Sequence, residues 1–148
     1  QPAKCQWNCS RLWHYTMGAA AIEDLNPRGS AGGKRMALHH ANAEEIVDLH
    51  PLGSGLRHAQ TSAIVKAEAF EVVRLIIHAG TEMDAHEVPG PIMLHCLEGH
   101  VLLALMDASL ELSAGQWVYL DGGARHSVKG IEDSSLLLTI LFEPAGRN

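Results

Sequence analysis

The sequence predicts an all-β domain, a sandwich or barrel built from short strands. Three observations carry this reading. Turn signals recur about every 8–12 residues along the C-terminal half of the chain, bounding short apolar runs. Fourteen glycines supply the tight reversals that such a chain needs. The longest run, residues 70–79, alternates with a period of two rather than following a helical period.

Taken in order, residues 42–49 read as a short helical turn or a first strand, and residues 50–55 (His-Pro-Leu-Gly-Ser-Gly) as a loop. Residues 64–66 form a short strand. Residues 70–79 form a longer one, with Phe70, Val72, Arg74, Ile76 and His78 on one side and Val73, Leu75 and Ile77 on the other. Both sides are largely apolar near the middle, as expected of a strand covered on each face. Residues 80–84 read as a turn. Residues 88–91 (Val-Pro-Gly-Pro) read as another, whose prolines exclude a central strand. Strands follow at 92–97, 101–106, 109–112, 117–120, 126–129 and 135–142, separated by Glu98-Gly99, Asp107-Ala108, Ala114-Gly115 and Asp121-Gly122-Gly123. No internal repeat is present.

A chain of 148 residues suits one domain with a core of its own. Hydrophobic residues make up 47% and aromatic residues 5%, so that core is mainly aliphatic. Residues 26–35 have linker composition, and residues 1–35 are expected to lie outside the fold, with a short helix over 12–25. The barrel is expected to occupy residues 36–148. Five basic and two acidic residues fall in 1–35, which leaves six basic and fifteen acidic residues after it, a charge of −9. This acidity excludes a nucleic-acid partner, which would need a basic surface.

Cys5, Cys9 and Cys96 are odd in number, and Cys96 sits in an apolar run. No disulfide framework is expected, which fits a cytoplasmic protein. Cys5 and Cys9, with His14 beyond them, have irregular spacing for a zinc site and read as exposed thiols. No apolar run is long enough for a transmembrane helix, and residues 17–22 are too short for a secretory signal. No membrane partner is expected.

Two spacings stand out. Gly80 is followed after five residues by His86, and the next strand closes on Leu97-Glu98-Gly99. Gly115 is followed after five residues by Asp121, then Gly123 and His126. This pair of motifs, at 80–99 and 115–130, resembles the cupin superfamily in its small single-domain form. Asp121 stands where the second motif has proline. The resemblance implies a double-stranded β-helix of jelly-roll type. It also implies a metal site of two histidines in H-x-H, a glutamate, and the histidine of the second motif, a set that suits iron, manganese, nickel or zinc. His86 and His126 match the first and last positions. Val88 and Ile92 occupy the other two.

Other residues compete for these two places. His95 is the tentative third ligand, although Leu94 and Cys96 take the inner face by parity and send His95 outward. Glu82 reads as near the pocket mouth, and Glu87 alternates away. His78 and His100 read as polar residues at strand ends or outer faces. The expected pocket lining is Val88, Ile92, Leu94, Cys96, Leu103 and Val118. No nucleophile elbow or phosphate loop occurs, and Ser127 follows His126 directly on a strand, so it faces the other way.

Two functions are implied. One is divalent-metal chemistry of dioxygenase or isomerase type on a small, partly apolar molecule. The other is a sensory or metabolite-binding barrel without metal or turnover. The apolar runs 70–77 and 136–142 predict a homodimer.

Overall fold

The computed structural model describes residues 39–142. The expected N-terminal helix, the linker, Cys5, Cys9 and His14 lie outside the described residues. Among the described residues, nine strands follow one 3-10 helix at Gly53–His58. They are β1 (Ser62–Lys66), β2 (Phe70–Ile77), β3 (Glu82–His86), β4 (Ile92–Glu98), β5 (His100–Leu105), β6 (Ser109–Ser113), β7 (Trp117–Leu120), β8 (His126–Gly130) and β9 (Ser134–Leu141). A five-stranded sheet, ordered β1-β2-β9-β4-β7, faces a four-stranded sheet, ordered β3-β8-β5-β6. Every pairing is antiparallel. The all-β jelly-roll expectation is met. No helix among the described residues is long and apolar enough to cross a membrane.

Alternation places the core. On β2, Glu71, Val73, Leu75 and Ile77 are buried while Val72, Arg74 and Ile76 are half-covered. The inner faces meet in one aliphatic cluster that includes Leu75, Leu94, Cys96, Val101, Leu103, Val128 and Leu136. At about 25 cal/mol per Å² of apolar surface, this burial is the main force closing the two sheets.

Gly99 makes the sharp β4–β5 reversal. Its φ of 89° is left-handed, and a Cβ there would collide with the Asp133 carbonyl oxygen and Ser134 Oγ. Ser134 is fully buried, accepts from the His100 amide at 2.9 Å and donates to the Glu132 carbonyl at 2.8 Å. The reversal between β4 and β5 is closed by its own hydrogen bonds.

Three local expectations are corrected. Residues 42–49 form neither helix nor strand, only a turn at 43–44 within an irregular segment. Their backbone runs along the protein without a strand partner, so period and propensity had nothing to act on. The loop expected at 50–55 becomes the 3-10 helix, because Leu56 is buried and Glu98 accepts the Leu52 and Gly53 amides at 2.7 and 3.1 Å. Arg74 holds the same segment by donating to the His50 carbonyl at 2.7 Å. The turn expected at 80–84 is shorter, and β3 begins at Glu82 because β8 pairs with it.

Candidate functional site

β3 and β8 bring two histidines face to face. Regular pairing from Met83↔Val128 would set Ala85 opposite His126. A bulge between Met83 and His86 inserts one residue and makes the pair His86↔His126. Directly paired residues share a face, so the bulge turns His86 to the side His126 occupies. The ring centroids are 4.4 Å apart with planes inclined at 62°.

Each ring is fixed by its own backbone. His86 Nδ1 lies 2.8 Å from the Asp84 carbonyl oxygen, and His126 Nδ1 lies 2.7 Å from the Ala124 carbonyl oxygen. A carbonyl only accepts, so both Nδ1 atoms carry the proton and both Nε2 lone pairs are left available. His126 is only 4% exposed. Burial pulls its pKa below the ordinary 6.5, with a smaller push from His86, against the raising effect of the Ala124 carbonyl. The neutral, lone-pair-bearing form is the favoured one.

The loops beside the histidines are joined. Gly123 donates its amide to the Val88 carbonyl at 2.7 Å, and Arg125 approaches Glu87 at 3.7 Å. Gly122 packs so close to the Pro89 carbonyl oxygen that a Cβ would overlap it. The chain leaves His86 through residues 87–91 into Ile92, and enters His126 from Leu120 through residues 121–125. Ile92 pairs with both Leu120 and Ile140. One row of the five-stranded sheet therefore sits at the histidine end.

That end is open between the sheets. β9 is a central strand, yet its inward-facing Leu138 and Ile140 are only half-buried, whereas Leu136 on the same face is fully buried. Leu105, paired with His126, and Val118 are half-buried too. Of the expected lining residues, Val118 is half-buried at this end, and Ile92 and Leu94 share rows with Ile140 and Leu138 but are buried, as are Val88, Cys96 and Leu103. Leu138, Ile140 and Leu105 were not anticipated as lining. A separate cleft of about 410 Å³ lies between β2 and β3, lined in part by Leu75, His78, Thr81 and Met83, and holds neither histidine.

The remaining expected ligands are dispersed. His95 pairs with Trp117 and Leu137 on the outer face, half-buried, beside the 46–51 segment. The structure does not bring it to the pair, because alternation from buried Leu94 and Cys96 sends it across the sheet. Glu82 is exposed opposite Lys129, His78 approaches Asp133 at 3.6 Å, and His100 meets Glu111 at 3.0 Å. Among the described residues, no group of three or more His, Cys, Asp or Glu side chains is arranged to hold a metal ion. The donor chemistry thus fits a divalent metal through two imidazoles only, with solvent or ligand atoms needed for the other places.

No family model matches the chain, and no curated protein matches its sequence. Solved structures do match its shape. A cupin superfamily protein from Desulfitobacterium hafniense aligns with a TM-score of 0.59 at 15% identity, covering 72% of this chain and 99% of that one. A cupin-2 domain protein from Shewanella frigidimarina aligns at 0.50 and 17% identity, covering 56% and 80%. The DMSP lyase DddQ from Ruegeria pomeroyi aligns at 0.53 and 13% identity, covering 58% and 48%. At these identities the likeness is one of fold, and the fold is the cupin-type barrel that the two glycine–histidine motifs led us to expect.

Proposed function

We propose that this barrel binds a small, partly apolar molecule at its open end, with His86 and His126 holding a divalent metal beside it. The observation that supports this is the pair of Nδ1 donations to backbone carbonyls, which leave both Nε2 lone pairs available on one face. Metal-ligating histidines are commonly oriented in this way. A bound iron, manganese, nickel or zinc ion would supply a Lewis acid for dioxygenase- or isomerase-like chemistry. The protein's own part is to orient the imidazoles and to offer aliphatic walls at Leu105, Val118, Leu138 and Ile140. Elemental analysis of untagged protein, repeated for His86→Ala and His126→Ala, tests this. Near-stoichiometric metal lost in both variants is expected. No metal in the wild type, even after incubation with iron, nickel and zinc, would sink it.

The absence of a third ligand among the described residues favours a second reading, a metabolite-binding barrel without metal or turnover. The same experiment separates the two. For the assembly we propose a homodimer through the outer face of the five-stranded sheet. Trp117 and Tyr119 are 57% and 47% exposed there, with Phe70 and Leu141 also exposed. Light scattering should give a dimer mass; a concentration-independent monomer would rule this out.

A further inference from the structure

The histidines furnish only one wall of the open end. The facing wall carries a carboxyl group. Glu71 shares the inner face of β2 with Val73, Leu75 and Ile77, and pairs with Ile140, which pairs with Ile92. That row is the one joined to the histidine loops. The chain path agrees: β2 ends at Ile77 beside Gly130, and β3 runs back from there towards His86. Glu71 and the histidines therefore lie at the same end, on opposite sheets.

Glu71 is 3% exposed, and its Oε1 has no hydrogen-bond partner among the described residues. Buried carboxyl oxygens are rarely left so. A second bulge points to the same place. Regular pairing from Ala63↔Val73 would set Val65 opposite Glu71, but the extra residue between Ala63 and Val65 sets Lys66 there instead. The two form no ion pair among the described residues, so Lys66 tempers the cost of a buried carboxylate without occupying it. Two bulges thus each exchange a small or apolar residue for a polar one at this end, Ala85 for His86 and Val65 for Lys66.

We propose that Glu71 is a ligand contact of this pocket, its free Oε1 accepting a hydrogen bond from a hydroxyl or amine on a small, otherwise apolar molecule lying between the sheets. This rests on the small-molecule pocket proposed above. It adds a recognition group that none of the family's motif positions supplies, and it sets the ligand's polarity: a donor at one end of an aliphatic body.

The test uses full-length protein carrying 13C-labelled glutamate, with the Glu71 carboxyl signal assigned by its loss in Glu71→Gln. Cyclohexanol, cyclohexylamine and, as an acceptor-only control, cyclohexanone serve as probes. Cyclohexanol or cyclohexylamine should move the Glu71 signal, and Glu71→Leu should weaken that probe about tenfold while leaving cyclohexanone unchanged. Response to the amine alone identifies an ammonium ligand; response to the alcohol identifies a hydroxyl. Glu71→Gln, which keeps the shape and an acceptor oxygen, serves if the leucine variant does not fold, and should retain the alcohol while losing preference for the amine. An unmoved signal with both donor probes, or equal binding in wild type and variant, overturns the proposal. Cobalt(II) titration of the wild type keeps the two readings apart: cobalt binding at the histidines while the Glu71 signal stays silent to both donor probes rejects this inference alone.

Discussion

The two ends of the barrel are made from the same strands and differ in how completely their polar groups are used. At the Gly99 end, Ser134 is fully buried and engages the His100 amide and the Glu132 carbonyl, and a glycine is required for the chain to pass. At the His86 end, among the described residues, the two imidazole Nε2 atoms and Glu71 Oε1 have no hydrogen-bond partner, and the aliphatic side chains of β9 still touch solvent. The lesson is that polar groups are satisfied at one end of the axis and left unpartnered, among the described residues, at the other. The Gly99 end satisfies its own hydrogen bonds, and the histidine end is where the proposed ligand would complete them.

The most severe way to break this contrast is at the closed end. Gly99→Val introduces a Cβ into the Asp133 carbonyl at positive φ, and should destabilise by about 3–5 kcal/mol in urea unfolding. Next comes a matched pair on one strand. Leu136→Ala, at a fully buried site, should cost about 3 kcal/mol, whereas Ile140→Ala, beside the opening, should cost about 1 kcal/mol. Equal losses would mean that the two ends are packed alike.

A smaller effect is expected from pH. Burial raises the folded-state pKa of Glu71 above its ordinary 4.5, with Lys66 acting against the rise. Its favourable contribution is then full below the unfolded value and is lost as pH rises through the folded one. Glu71→Gln should therefore be more stable than wild type at pH 7, with the advantage shrinking as pH falls towards 4.5. Chemical denaturation at several pH values checks this; a difference that does not change with pH would contradict it. The smallest effect is expected at Glu87→Gln. Its contact with Arg125 is 3.7 Å long and half-exposed, so about 0.5 kcal/mol or less is at stake.

Much of this was legible in the residues. Glycine–histidine spacing marked His86 and His126, and alternation placed His95 away from Leu94 and Cys96. What stayed hidden has a common cause, because parity in a sequence assumes a regular ladder. The β3 bulge changes which residue of Glu82-Met83-Asp84-Ala85-His86 faces β8, and that polar stretch has no apolar period to announce a strand. Glu71 could have been found, since it shares its parity with Val73, Leu75 and Ile77. A glutamate near the start of a strand reads as a solvated edge, and only the pairing of β1 and β9 on either side shows it to be covered. Which side chains along the inner face stay half-buried was not legible either. Alternation tells inner from outer, but it does not tell which end of an inner face is closed.

The strand order has a consequence for how the chain is made. β9 lies between β2 and β4, so a strand synthesised after the other eight described ones is the one that joins the five-stranded sheet. Until residues 134–141 emerge, β2 and β4 each present an unpaired edge, and Arg74 lacks the Ser135 hydroxyl that it later contacts at 3.0 Å. Vectorial synthesis therefore cannot complete this barrel piecemeal. Nascent chains halted before β9 should be sticky and protease-sensitive, and the fold should appear in one late step.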